Sequence, residues 1–275
     1  MEHLDWNEIL KQIQAFATSG TARLSLQELP PRANADEAML HLSDVFDAMS
    51  VLSQGTRPFM ESLDLFEPWH SRIKRNAVLK ALEIKDVRSF CLEVIALHET
   101  LKLSETSWAQ RVASQLMQAE EPLSAIDQIL TPRGEIRSDA SETLYRLFRE
   151  KENLARQIET TLDRLVKAHD MQTYLQDKYV TTRDGRWVLP IRSGSKHFVD
   201  GVIHGSSQTK QTVYMEPEGV IPLNNRLRQV DVEIEDEIER LLLQLSEYLA
   251  TKTQDFADSR NLLLETDSLF AQAQF

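Results

Sequence analysis

Residues 179–217 read YVTTRDGRWVLPIRSGSKHFVDGVIHGSSQTKQTVYMEP, running from Tyr179 to Pro217. Short runs of β-branched and aromatic residues alternate with polar ones, and turn chemistry separates the runs. YVTTR and RWVLPI flank Asp184-Gly185. A two-residue Asp-Gly between β-favouring runs predicts a type I′ hairpin, which places Arg183 opposite Arg186. A second pair of runs, HFVDGVIH and QTVYMEP, is separated by the polar loop GSSQTK. A single small hairpin is marginal by itself, so four strands packed on the ends of neighbouring helices are expected.

Outward from this stretch, both flanks are helical. Upstream, Leu144, Leu147, Leu154, Ile158, Leu165, Ala168 and Leu175 follow a heptad-like spacing, interrupted at Lys151, Thr161 and Gln172. SDASETLYRL opens that run, with Ser138 or Asp139 as N-cap and Glu142 placed to close a capping box. Downstream, Leu223, Leu227, Val230, Ile234, Ile238, Leu241, Leu245 and Tyr248 share one face, and the pattern continues past Phe256. Two helices of roughly 35 to 40 residues would each reach about 55 Å at 1.5 Å per residue. As sequential neighbours around a short excursion they form an antiparallel pair most economically, each burying its seam against the other. A plain coiled coil with no mechanical role has the same seam.

The first 130 residues read as a helical bundle. Trp6, Ile9, Leu10, Ile13, Phe16 and Ala17 recur at helical spacing after Leu4, and Pro30-Pro31 stops a second helix. Asn34 or Asp36 caps a third, which carries Met39, Leu42, Val45, Phe46, Met49 and Leu52. Further helices are expected near 63–74, 84–103 and 108–119, and Pro122, Pro132 and Gly134 mark the boundary. The chain is thus expected to be mainly α, with a small antiparallel β element.

Composition narrows the function. The chain has 275 residues, 31 Lys plus Arg against 43 Asp plus Glu, and a formal net charge of -12, so its mean field repels nucleic acids and anionic membranes. Any nucleic-acid contact must be local. Cys91, the single cysteine, lies in an apolar helical pattern and reads as a buried thiol in a reducing compartment. No basic leader precedes an apolar stretch and no long apolar run occurs, so no membrane is expected and the location reads as cytoplasmic. There is no phosphate-binding GxxxxGK loop, no GxGxxG, no HExxH and no cysteine pair, so no catalytic, cofactor-binding or metal-ligating residue is expected. His98-Glu99 and His169-Asp170 read as solvated helix residues.

The strand-rich stretch departs from this acidic background. Lys178, Arg183, Arg186, Arg192, Lys196 and Lys210 outnumber Asp177, Asp184 and Asp200 there, and His197 and His204 add to the positive potential. Basic strands and loops on an acidic protein suit a phosphate backbone, because each neutralised phosphate releases condensed counterions. The candidate contacts are Lys178, Arg183, Arg186, Arg192, Lys196, His197 and Lys210. Exposed turn cations kept for solubility give the same composition. Trp187 and Tyr214 either stack on bases or form the packed face of a strand. Nothing suggests base-specific reading, so backbone or shape recognition is the expected form.

The runs YLQDKYVTTRDGRWVLPI, GVIH, TVYMEP and VIPLNNRL resemble the bacterial MutS-like proteins of the second type, the paralogues without the mismatch-reading domain. RGEIRSDASETLYRL and LDWNEILKQIQAFATS are similar to that family as well. The resemblance implies a helical core at 1–130, lever helices at 131–178 and 222–275 that return toward the core, and a small β clamp at 179–221. It implies a grip on branched or mismatched DNA in recombination suppression, or on structured ribosomal RNA of stalled ribosomes. The family continues into an ATPase domain, which uses ATP and magnesium and through which it homodimerises, and usually into a small nuclease-like domain. Neither is expected within these residues, so this region is expected to be no enzyme. SLFAQAQF ends inside a helical pattern, as a truncation would. The family commonly has Gly where Asn76 and Lys210 stand, and Asp where Gly205 follows His204. The alternative function is a coiled-coil scaffold for protein interaction or dimerisation, without nucleic-acid binding.

Overall fold

A computed structural model describes residues 5–55 and 57–275; Leu4 of the first apolar run lies outside them. The chain is mainly α with one four-stranded antiparallel sheet. Its helices are α1 (Trp6–Gln14), α2 (Gly20–Gln27), α3 (Ala35–Gln54), α4 (Phe66–Ile73), α5 (Ala81–Lys102), α6 (Ser107–Gln115), α7 (Glu120–Ile129), α8 (Glu142–Lys167), α9 (His169–Gln172), α10 (Ile221–Ala250) and α11 (Thr253–Gln274). The strands are β1 (Thr181–Arg183), β2 (Arg186–Arg192), β3 (Gly201–Ser206) and β4 (Thr212–Pro217). Two compact units result, one reaching Arg137 and resuming from Leu241 to Phe275, the other spanning Ser138–Arg240.

The first unit is helical, and its core is aromatic at the centre. Trp69 meets Phe66 and Phe256 edge-on, with centroids 4.5 and 5.2 Å apart, and Phe90 closes the group. α11 packs on α2 and α3 and fastens them through Asp267, which is fully buried. That carboxylate accepts from the backbone and hydroxyl of Thr18 (3.1 and 2.9 Å) and of Ser19 (2.9 and 2.8 Å), and pairs with Arg57 at 2.5 Å. A buried carboxylate stays charged only with such donors around it. Asn34 caps α3 by accepting from Glu37 N at 2.9 Å. Cys91 is buried, and burial pushes its thiol up to about 12.

In the second unit α8 and α10 run antiparallel. Ser141 donates to Glu237 (2.6 Å), Lys151 pairs with Asp231 (2.7 Å), and Arg226 forks onto Glu150 (2.7 and 3.0 Å). From Ser141 to Glu150 the partner falls from Glu237 to Arg226, the antiparallel sense. Arg226 also holds Glu233, and these hydrogen bonds raise its own pKa. The hydrogen bonds of Arg240 and Ser141 hold Glu237 down to about 2. Leu144, Leu147, Leu154, Ile158 and Leu162 are buried along α8, as are Leu227, Val230 and Ile234 along α10.

Three expectations are corrected here. The cap of α8 is Ser141, whose hydroxyl accepts from Leu144 N at 3.0 Å, rather than Ser138 or Asp139. α8 does not run on to Leu175: Ala168 adopts an extended backbone, α9 is a separate short turn, and Leu162 rather than Leu165 is buried. Residues 222–275 form two helices, broken at Thr251-Lys252, with α11 wholly in the first unit. With 26 and 30 residues, α8 and α10 are about 39 and 45 Å long, shorter than the expected rods.

The sheet has the order β1-β2-β4-β3, every pairing antiparallel. Asp184 and Gly185 both take positive φ (50° and 74°), as a type I′ turn requires, and Arg183 pairs with Arg186. β2 and β4 are central, so Val188, Leu189, Pro190 and Ile191 are buried on both faces of β2. β3 carries a bulge between Ile203 and Ser206.

Candidate nucleic-acid interface

A buried polar knot lies under the sheet. Glu216 on β4 is 1% exposed, and Asn224 at the start of α10 is fully buried. Arg186 Nη1 donates to both Glu216 oxygens at 2.8 and 3.1 Å, Asn224 Nδ2 donates at 2.8 Å, and His204 Nε2 lies 2.6 Å away. Arg186 Nη2 donates to Asn225 Oδ1 at 2.7 Å. The Asn224 amide also accepts from Trp187 N and donates to Trp187 O, both at 3.1 Å, and so replaces a neighbouring strand there. Trp187 is half-buried.

Arg186 and Asn224 therefore hold the sheet to α10, and His204 ties β3 to β4. Arg186, expected as a phosphate contact, has both Nη atoms engaged, by Glu216 and by Asn225. Arg183 is exposed and lies over the Tyr214 ring, 4.0 Å from its centroid, so Tyr214 is a covered ring rather than an open platform. Burial and the neighbouring Tyr214 raise the Tyr179 hydroxyl above its usual range. Lys178 is exposed and donates to Gln172 at 3.1 Å.

The other four candidates meet at the opposite end of β2. Arg192 ends that strand, about 20 Å from Arg186 at 3.3 Å per residue. Its backbone N–H donates to Tyr174 O at 2.8 Å, and the Tyr174 ring stacks on Phe198 with centroids 5.4 Å apart and planes 11° from parallel. Phe198 closes the 3-10 turn Ser193–Phe198, which also carries Lys196 and His197. Ser193 N donates to Gln211 O at 2.9 Å, bringing the β3–β4 loop and Lys210 alongside. Arg192, His197 and Lys210 are exposed and Lys196 is half-exposed. Among the described residues none of these four side chains has a hydrogen bond or ion pair. These four residues are thus divided from Arg183 and Arg186 by the length of a strand.

Lys210 takes φ +57°, a left-handed backbone that a side chain occupies at some strain, and Asn76 takes +53°. These are the two positions at which the resemblance leads glycine to be expected.

Phe198 was not singled out in the sequence. It is 68% exposed beside two cations, the geometry of a stacking platform, and its signal was an aromatic residue following Lys196-His197 in a turn-rich segment. Glu216 was equally hidden within TVYMEP. Among the described residues no group of three or more His, Cys, Asp or Glu is placed to hold a metal ion, and no helix is long and apolar enough to cross a membrane.

Fold and surface together define a mainly helical protein with a small antiparallel sheet that presents unpaired cations and an exposed aromatic ring at one end. Comparison with known proteins gives that class a relation. The chain is 29% identical over 275 residues to Endonuclease MutS2 of Thermotoga neapolitana, a match that takes in 100% of this chain and 36% of that protein. It is 29% identical to Endonuclease MutS2 of Lachnospira eligens, over 98% of this chain and 34% of the relative. The protein of the same name from Halothermothrix orenii is 28% identical over 100% of this chain and 36% of its own length. The chain spans about a third of the length of these curated relatives. No protein-family model matches it.

Proposed function

We propose that this chain is the core, lever and clamp region of a MutS-like protein of the second type, and that it grips the phosphate backbone of branched DNA or structured RNA. The observation that carries the reading is the group of unpaired cations Arg192, Lys196 and Lys210, gathered with His197 around exposed Phe198 on a protein of net charge -12. The guanidinium and ammonium groups of Arg192, Lys196 and Lys210, without carboxylate partners, are open to phosphate, and an exposed ring accepts an unstacked base without regard to its identity. The relatives' printed name, an endonuclease, supports a nucleic-acid partner. ATP hydrolysis and strand cleavage fall to parts of the longer protein outside these residues, and those parts supply the homodimer.

The test is fluorescence anisotropy with a four-way DNA junction and a hairpin RNA. The triple variant Arg192→Gln, Lys196→Gln, Lys210→Gln is expected to bind at least about tenfold more weakly. Its slope of log K against log salt should be smaller by roughly 2 to 3, since each lost phosphate contact removes about 0.9 from the slope. Parent-like affinity and slope in that variant would remove the assignment.

A further inference from the structure

α8 carries a second basic surface, on the face turned away from its buried seam. Leu144, Leu147, Leu154, Ile158 and Leu162 are the buried side. At 100° per residue, Arg146, Arg149, Arg156, Arg164 and Lys167 lie within about 80° of one another on the opposite side. All five are exposed. Arg156 makes one loose pair with Glu152 at 3.4 Å, both side chains well solvated; the other four have no hydrogen bond or ion pair among the described residues. Glu142 stands at the start of the ridge, Glu152 and Asp163 lie along one margin, and Glu150, held by Arg226, lies on the other beside Arg146. From Arg146 to Lys167 the ridge is about 31 Å long, which matches roughly nine base steps of a nucleic-acid strand at 3.4 Å each.

We infer that this ridge is a second backbone-binding surface, along which a nucleic-acid strand lies over the length of α8. The inference rests on the proposed function and adds a place to it. Two features favour nucleic acid over an acidic protein. Between Arg149 and Lys167 the outward positions are Asn153, Gln157 and Thr160, with no aliphatic or aromatic anchor, and the exposed Tyr145 stands only at the end of the ridge, whereas protein interfaces are built around such anchors. The cations are also spread along a line, as a backbone requires, rather than gathered about a centre. α10 of the same unit instead exposes Glu235, Asp236 and Glu239, a face that repels phosphate. A polyanion is therefore directed to one helix of the pair.

The ridge leads toward the sheet cluster by chain continuity. Gln172 of α9 donates to Lys167 O at 3.4 Å and accepts from Lys178 at 3.1 Å, and Tyr174 next carries Phe198. A strand held by Arg192, Lys196 and Lys210 has further cations within the same unit.

The experiment uses the full 275-residue chain. In the variant Arg149→Gln, Arg156→Gln, Arg164→Gln, Lys167→Gln, glutamine keeps helix propensity and the buried face is untouched, which circular dichroism verifies. Binding to a 30-base-pair duplex and to a hairpin RNA is titrated between about 50 and 200 mM salt. The expected result is a salt slope smaller by roughly 3, with affinity down at least about tenfold at the lower salt. The sheet variant should add its own loss. If the ridge variant keeps the parent's slope while the sheet variant weakens binding, the ridge is wrong and the proposed function stands. If the parent binds neither probe, both are wrong. If sedimentation shows a parent dimer that the ridge variant converts to monomer, without change in nucleic-acid affinity, the ridge serves a second copy's acidic α10 and the inference is overturned.

Discussion

Glu93 on α5 is a carboxylate held partly out of water against the turn that opens at Met60. It accepts from Ser62 N at 3.0 and 3.1 Å and from the Ser62 hydroxyl. Burial pushes its pKa up to about 7, and the Ser62 hydrogen bonds only partly oppose that rise. The folded protein therefore holds this proton more tightly than the unfolded chain, where the ordinary value is 4.5. The resulting stabilisation is fully present below the unfolded value and is lost as pH rises through the folded one. Between about pH 5 and 8 the Glu93 contribution should thus decline. Glutamine offers an oxygen to Ser62 N and an amide to the hydroxyl without any charge to desolvate. Thermal melts of Glu93→Gln should lose part of the parent's decline over that range, and at the alkaline end the variant should be at least as stable. An identical pH dependence in parent and variant would show that the carboxyl is solvated in the native state.

At the scale of the element, β3 depends on one residue that cannot carry a side chain. Gly201 pairs with Pro217, and a Cβ there would stand 2.2 Å from Glu216 O, a backbone atom that cannot swing aside. Gly201→Ala should separate the first half of β3 from β4 at a cost of at least about 2 kcal/mol. Hydrogen exchange would register this as faster exchange at Val202 and Ile203 with the β1–β2 hairpin unaffected; unchanged protection of β3 would mean that the close approach relaxes freely. That hairpin was legible in the sequence because Asp184-Gly185 is a local instruction, with both φ values positive and no tertiary partner needed. Asn34 as a cap was legible for the same reason. The end of α8 was not. No Gly or Pro marks Ala168, and the apolar spacing continues through Leu175, which instead bridges to Ile191 beside the sheet. Nor was the knot at Glu216 legible, since alternation sets its side but only the order β1-β2-β4-β3 makes β4 central and that side dry. Arg183 and Arg186 face each other as the turn requires, yet Asn225, far along the chain, engages Arg186 Nη2. The grouping of Arg192, Lys196, His197 and Lys210 rests similarly on the Ser193–Gln211 bond, which joins two loops that spacing alone leaves apart.

At the scale of the whole molecule, the chain buries two separate centres, an aromatic group at Trp69 in the first unit and the Glu216 knot in the second. α10 is the element shared between them, counted with the second unit to Arg240 and with the first from Leu241. Whether damage in one unit reaches the other is a question of cooperativity, and Cys91 offers a reporter for the first. Its thiol is buried and raised to about 12, so at neutral pH it is labelled only when the first unit opens. Glu216→Ala leaves Arg186, His204 and Asn224 without their shared acceptor, a change that costs on the order of 3 kcal/mol where a buried charge loses its partner. If each unit unfolds on its own core, amide exchange in β2 accelerates by roughly a hundredfold, while the labelling rate of Cys91 stays within about twofold of the parent. If Cys91 labelling accelerates as much as β2 exchange, α10 transmits the loss and the chain unfolds as one body. Independent unfolding would leave the second unit free to change conformation while the first stays folded, a freedom that a single cooperative body lacks.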